Sequence, residues 1–205
     1  MEISLASSGD TILTLENPNS PFAPWEGDNR PLTSTPPSPV TFRLSSHHLT
    51  QASPVFKAAL TGAWKEGSTA AGGCYEINVE DWDAEAMRVV LSLIHCRTKG
   101  IPRIVTLEML TKVAVLVDYY QLHEAVHFYA SLWIDTLRHS LPTAYGRDLI
   151  LWICVSWVFK DASIFKAVTK LAVEQSPGKV ATLQLPIPER VISRFVFRVP
   201  CSGSH

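Results

Sequence analysis

The chain has 205 residues, which is enough for one sizeable core or for one domain with an appendage. Its 18 Lys and Arg nearly balance its 19 Asp and Glu, and the formal net charge of −1 excludes the strongly basic classes that collect nucleic acid or anionic membranes. The four cysteines lack the close spacing of zinc ribbons and thioredoxin-like motifs. Signal-peptide patterns and bilayer-length apolar runs are absent, so we expect a chain of the cytoplasm or the nucleus.

The first half of the chain predicts three strands. Residues 11–15, 40–44 and 75–79 alternate between apolar and polar side chains and are rich in β formers. The connection between the first two strands, residues 17–39, holds seven of the 14 prolines. Proline can neither pair within a central strand nor continue a helix, so we expect this connection to be an extended, mobile loop.

Helices dominate the rest of the sequence. Ser53 followed by Pro54 predicts a helix N-terminus, and Asp83 and Thr106 predict two more, because the side-chain oxygens of such residues cap the first free amide groups. Apolar residues recur at helical spacing in three later segments. These segments are about 122–137, 147–159 and 161–175. Residues 191–199 are apolar but indicate no particular element.

Several short motifs follow one another along the chain. They are Phe42-Arg43-Leu44-Ser45-Ser46, Ser53-Pro54-Val55-Phe56, Trp64-Lys65-Glu66, the helix from Asp81 to His95, Asp118-Tyr119-Tyr120 and Trp133-Ile134. Each motif is weak alone. Their order and spacing over about residues 10–140 resemble a BTB/POZ domain, in particular the divergent form found in filamentous fungi.

The resemblance implies an α+β fold, with a small β-sheet and a cluster of α-helices over residues 10–140. Residues 1–9 are then an N-terminal tail, residues 141–199 a helical C-terminal extension, and residues 200–205 a second tail. BTB-like domains are interaction modules, so the resemblance implies protein partners and no enzymatic activity. Two roles are open: a cullin-type ubiquitin-ligase adaptor, or a self-associating scaffold in a regulatory complex.

The same interpretation assigns no catalytic, cofactor-binding or metal-binding residue. It expects no cofactor and no nucleic acid, membrane or small-molecule partner. Many animal members carry His-Lys or His-Arg where this chain has Ser45-Ser46, so a charged groove for corepressor peptides is not expected. The family's swapped dimer needs an N-terminal helix and strand, and only nine residues precede Asp10. We therefore expect a monomer, or association through the C-terminal helices. These helices carry the apolar run 149–159, and any face of it exposed to solvent would favour association.

A zinc-dependent hydrolase is the alternative interpretation. The stretch His123-Glu124-Ala125-Val126-His127 matches H-E-x-x-H. On a helix this motif places two imidazoles one turn apart, with the glutamate positioned as a general base for zinc-bound water. The hydrolase would use His123, Glu124 and His127. No third ligand follows at a recognised spacing, and for this reason we favour the interaction module.

Other chemistry-bearing residues have structural interpretations. His47-His48 is expected at a solvent-facing turn, and His95-Cys96 at a helix end rather than in a catalytic pair. The aromatic residues Trp133, Trp152, Trp157 and Phe165 lie at helical positions typical of a core.

Overall fold

The computed structural model describes residues 2–25, 38–61, 73–176, 178 and 180–196. Within these ranges the chain forms a four-stranded sheet and eight α-helices around a common hydrophobic core. The predicted α+β class is confirmed. The Trp64-Lys65-Glu66 motif and Cys201 lie outside the described residues.

The sheet is mixed. Its strands are β1 (Glu2–Ser4), β2 (Thr11–Glu16), β3 (Val40–Leu44) and β4 (Tyr75–Glu80), in the order β1-β3-β2-β4. β2 and β3 pair antiparallel, whereas β1 runs parallel to β3 and β4 runs parallel to β2. The three predicted strands are confirmed. β1 corrects the expectation of a tail over residues 1–9, because three residues at a sheet edge are too few to show an alternating pattern.

The helices follow in sequence. They are α1 (Ser46–Ala52), α2 (Pro54–Thr61), α3 (Ala84–Ile94), α4 (Leu107–Tyr120), α5 (His123–Leu137), α6 (Arg147–Val158), α7 (Ala162–Gln175) and α8 (Glu189–Val196). The predicted helices are confirmed, and α8 occupies most of the stretch that indicated no element. α1 was not predicted: the structure has a helix where the sequence favoured a turn. Its seven residues bury a single apolar side chain, Leu49, so they show no periodicity.

The predicted caps are present in the structure. The Asp83 carboxylate accepts hydrogen bonds from the amides of Glu85 and Ala86, and the Thr106 hydroxyl accepts from the amide of Met109. Ser53 has two roles. Its hydroxyl accepts from the amide of Phe56 and donates to the carbonyl of Tyr120 at 2.6 Å. A cap that also bonds another helix fixes α2 against the end of α4, where the rings of Phe56 and Tyr120 stack at 4.4 Å.

One core serves both the sheet and the C-terminal helices. The cluster of buried apolar residues extends from Leu5 to Ile192. Every residue of α6 from Leu149 to Val155 is fully buried, between α4 and α7. Residues 149–155 of the apolar run therefore expose no apolar face. The residues predicted to form an appendage share their core with the residues predicted to form the domain.

The start of the Pro-rich connection is packed rather than mobile. Pro18 and Ala23 are buried, and the Arg147 guanidinium donates to the carbonyl oxygens of Phe22 and Ala23 at 3.1 and 2.9 Å. The expectation of a mobile loop over residues 17–39 is wrong for residues 17–25, which we call the strap. Proline content indicated only that the strap has no regular secondary structure. A segment without regular structure can still pack on the core when its carbonyl oxygens accept hydrogen bonds from other residues. Residues 26–37 lie outside the described part of the chain.

Candidate functional site

Helix α5 carries the H-E-x-x-H motif of the alternative interpretation. Contacts along one face of the helix fix its orientation. A left-handed residue, Gln121 (φ 55°), ends α4, and the amide of Leu122 donates to the carbonyl of Val117. The inward side of α5 carries Val126, Ala130 and Trp133, all buried. The Trp133 indole N–H donates to the carbonyl oxygen of Pro102 at 2.9 Å. These contacts determine which side chains of α5 point outward.

The outward face of α5 exposes two large apolar side chains one helical turn apart. Phe128 is 73% exposed and Leu132 is 42% exposed. Glu124 precedes them by one turn and Asp135 follows, and both carboxylates are exposed. We call these four residues the α5 patch. An exposed aromatic next to an exposed leucine is typical of surfaces that bind other proteins, and the Asp135 carboxylate beside them pairs with Arg138 at 3.6 Å.

The α5 patch is continuous with the core through a chain of rings. Phe128 contacts Tyr129 edge-on at 5.5 Å between ring centroids, and Tyr129 lies 5.7 Å from Trp133. Trp133 is fully buried. Neighbouring rings limit the positions open to Phe128, so less conformational entropy is lost when a partner covers it.

The three residues of the H-E-x-x-H motif lie at the start of the same helix. His123 is half-buried, whereas Glu124 and His127 are exposed. The residues that the structure describes contain no group of three His, Cys, Asp or Glu placed to hold a metal ion. The fold therefore brings no third ligand from the described residues to His123 and His127.

His123 lines a cleft between α5, α6 and α7 of about 500 Å³. Trp157 and Phe165, predicted to lie in the core, are only partly buried and form one wall, with their ring centroids 5.8 Å apart. The guanidinium of Arg190 lies over the Trp157 ring at 5.3 Å. Ser156 also lines the cleft, but its hydroxyl is buried and donates to the carbonyl of Trp152 at 2.6 Å. A hydroxyl held in this way is not available as a nucleophile.

Ser46, at the start of α1, has a structural role. The amide and the hydroxyl of Ser46 both donate to the carboxylate of Asp10, at 2.8 and 2.6 Å. Burial alone would raise the pKa of Asp10, but the hydrogen bonds from Ser46 outweigh burial and hold the pKa below its ordinary value. The carboxylate thus fastens the start of α1 to the start of β2.

The apolar spacing of α5 contained the signal for the α5 patch. Val126, Tyr129, Ala130, Trp133 and Leu137 recur at helical spacing and so share an inward face. Residues 128 and 132 lie on the opposite side of a helix with that inward face. What the pattern left open was whether a neighbouring element covers the opposite side.

Comparisons with known proteins add no assignment. No family model matches the chain, and no curated protein matches it. Among the described residues, no helix has the length and apolar character needed to cross a membrane.

Proposed function

We propose that this chain is a non-enzymatic protein-interaction module of the BTB/POZ type, which binds a protein partner through the α5 patch. The observation that carries the proposal is the exposure of Phe128 and Leu132, one helical turn apart on a helix whose other face is anchored in the core. The fold agrees with the plan that the resemblance implies, since a small sheet leads into a series of helices.

The partner that fits the α5 patch is a protein surface with an apolar centre and basic flanks. Phe128 and Leu132 supply the apolar contact, whereas Glu124 and Asp135 meet positive charge. Truncating a residue that acts as a binding hot spot costs about 2 kcal/mol or more, which corresponds to roughly thirtyfold in affinity. The proposal includes two possible partners. A cullin would make the chain an adaptor, and a second copy of the chain would make it a self-associating scaffold.

Affinity purification from the source cell, with the full chain as bait, tests the proposal. The wild type is compared with Phe128→Ala/Leu132→Ala and with Ile104→Ala. Ile104 is 75% exposed in the connection before α4, so its variant removes exposed apolar surface elsewhere. We expect a set of proteins retained by the wild type and by Ile104→Ala, and lost from the double variant. All three chains should have melting temperatures within about 3 °C of one another, because exposed substitutions change stability little.

The identity of the retained protein separates the two roles. A cullin, purified and titrated against the chain, supports the adaptor role if the double variant weakens binding at least about thirtyfold. Concentration-dependent self-association that the double variant abolishes supports the scaffold role. Unchanged retention of every partner by the double variant contradicts the assignment of the α5 patch.

The zinc hydrolase lacks a third ligand near His123 and His127 among the described residues. Its test is elemental analysis of protein purified without chelator, together with His127→Ala. We expect no stoichiometric zinc in either chain. About one zinc per wild-type chain, lost in His127→Ala, would establish a metal site at α5 and support the hydrolase instead.

A further inference from the structure

A second histidine-containing region, away from the α5 patch, holds a buried imidazole between two backbone hydrogen-bond partners. His95 follows the last residue of α3 and is only 6% exposed. Its Nε2 accepts a hydrogen bond from the backbone amide of Ser45 at 3.0 Å, and its Nδ1 lies 2.9 Å from the carbonyl oxygen of Leu91. A backbone amide can only donate, so Nε2 carries no proton. Nδ1 then carries the proton and donates to Leu91, which makes the ring neutral with a defined tautomer.

The bond from Ser45 to His95 joins two distant parts of the chain. Ser45 immediately precedes α1, and His95 ends α3. The N-terminal segment is tied to the same place. The Arg97 Nε donates to the carbonyl of Leu5 at 3.0 Å, and the amide of Leu5 donates to the carbonyl of Arg43. Gly9 makes this packing possible, since a Cβ there would overlap the carbonyl oxygen of Leu44.

The surroundings of His95 disfavour a second proton on its ring. The imidazole of His48 on α1 stacks on it, with centroids 5.1 Å apart and planes at 22°. Cys96 and Arg97 follow it in sequence, and residues 5–8 contribute no titratable side chain. Asp10, at the start of β2, is engaged by Ser46. Burial above all, and then the charges of His48 and Arg97, lower the pKa of His95, and the hydrogen bond to Leu91 opposes them only in part.

Solvent protons nevertheless have a route to the ring. A cavity of about 350 Å³ borders His95 and His48 and opens to the surface beside Ser7 and Arg97. A buried imidazole beside an open cavity takes up a proton once the local structure opens, since the exposed ring has an ordinary affinity for protons.

We propose that His95 is a pH-sensitive latch that holds the start of α1 against the end of α3 when neutral and releases it when protonated. The incoming proton goes to Nε2, which then can no longer accept from the amide of Ser45. That amide turns to water instead. Release frees the residue before α1 from the end of α3, whereas the two bonds from Ser46 to Asp10 still hold the start of α1 to β2.

The direction of the pH effect follows from linkage. The closed state lowers the pKa of His95 below the value of about 6.5 of an exposed imidazole, so the open state binds the proton more tightly. The stabilisation from the closed latch is therefore complete above about pH 6.5 and is lost progressively as the pH falls below that value. Between that value and the lower pKa of the closed state the loss approaches a factor of ten per pH unit, and below the pKa of the closed state it levels off, because both states then carry the proton.

Nuclear magnetic resonance of the full chain tests the latch directly. The nitrogen shifts of the His95 ring should show the Nδ1–H tautomer near pH 7.5. The amide of Ser45 should lose exchange protection by up to about tenfold between about pH 7.5 and 5.5, after correction for the intrinsic exchange rate, while amides within α4 keep theirs. An Nε2–H tautomer overturns the proposal, and so does unchanged protection at Ser45. Equal loss at Ser45 and in α4 would mean global unfolding and would also overturn it.

A matched pair of variants separates His95 from its neighbours. His95→Gln keeps a carbonyl acceptor for the Ser45 amide but does not titrate, whereas His47→Gln removes an exposed histidine from α1, the helix that His95 contacts through His48. We expect the pH dependence at Ser45 to disappear in His95→Gln and to persist in His47→Gln. Persistence in His95→Gln would assign the effect to His48 and overturn the latch. If His95→Gln does not fold, the tautomer and the protection of the wild type still decide the proposal.

Discussion

Helices α5 and α6 both carry many large apolar residues, yet the fold encloses one and leaves the other half-open. In α6, every residue from Leu149 to Val155 is fully buried, because α4 lies on one side and α7 on another. In α5, contacts to α3 and α4 cover one face only, and Phe128 and Leu132 remain exposed on the other. The number of apolar residues in a helix therefore does not indicate whether the helix exposes an apolar face. The number of elements packed around the helix does.

The comparison also shows how α6 comes to be enclosed. Arg147, in the first turn of α6, pairs with Glu108 on α4 at 2.8 Å and donates to the strap carbonyls of Phe22 and Ala23. Lys112 on α4 bridges Glu108 and Asp83, with Nζ–O distances of 3.0 and 2.8 Å. These half-buried charges fasten the N-terminal ends of α4 and α6 together and hold the strap across them.

Removal of α6, together with the helices that follow it, tests how much the enclosed helix contributes to the stability of the fold. A chain that ends after Ser140 loses all the buried apolar side chains of α6 and uncovers the face of α4 against which they pack. Four such side chains alone contribute about 6–12 kcal/mol, as much as the whole stability of most domains. We expect the truncated chain to lack cooperative thermal unfolding, measured by circular dichroism. A cooperative transition in it would show that residues 10–140 fold alone, as the resemblance first implied.

A pair of leucines tests the same comparison one side chain at a time. Leu151 in α6 is fully buried, whereas Leu132 in α5 is 42% exposed. Leu151→Ala should lower the free energy of unfolding by about 2–5 kcal/mol, because it leaves a cavity. Leu132→Ala should change it by less than about 0.5 kcal/mol, because water already reaches the side chain. Urea denaturation measures both. Equal losses would mean that Leu132 is covered in solution, for example by a second copy of the chain.

Much of this architecture could be predicted from residues alone. Ser53, Asp83 and Thr106 located three helix starts, since capping depends on side-chain chemistry next to the free amides. The alternation of apolar and polar side chains located β2, β3 and β4, because it depends only on neighbouring positions in one strand. β1 and α1 were missed because each is too short to show a period: β1 has three residues, and α1 buries only Leu49.

The features that the sequence could not predict depend on long-range contacts. His48 and His95 are 47 positions apart, and only the fold stacks their rings. The strap is packed because Arg147 reaches its carbonyls across more than 120 positions. Trp157 and Phe165 follow helical spacing as core residues do, yet they line a cleft. Periodicity shows which side chains share a face, and only the neighbouring elements determine whether that face is covered.

A substitution at Arg147 tests whether the charged cluster encloses α6. Arg147→Gln removes the pair with Glu108 and the bonds to the strap, so we expect a loss of about 1–3 kcal/mol in urea denaturation. Lys170→Gln, at an exposed ion pair on α7, is the control and should cost less than about 0.5 kcal/mol.

The pH dependence of Arg147→Gln provides a second readout. Burial would raise the pKa of Glu108, but the hydrogen bonds from Lys112 and Arg147 lower it below its ordinary value. The stabilisation from the ionised Glu108 is therefore complete above the ordinary glutamate pKa of about 4.3 and is lost as the pH falls below it. The difference between wild type and Arg147→Gln should shrink in that range. A difference that stays constant with pH would assign the loss to the strap carbonyls rather than to Glu108.

Two replacements divide the Pro-rich connection into a part that packs on α6 and the part that follows it. Replacing residues 26–37 by a Gly-Ser linker of equal length should change the melting temperature by less than about 2 °C, because loop composition contributes little when the ends stay anchored. Replacing residues 19–37 should lower it by more than about 8 °C. That change removes Phe22 and Ala23 from the core and from Arg147, and Trp25 from its contact with Tyr145 at 5.9 Å between centroids. If neither replacement lowers the melting temperature, the strap does not help to enclose α6. If both are equally costly, residues 26–37 contribute to that enclosure as well.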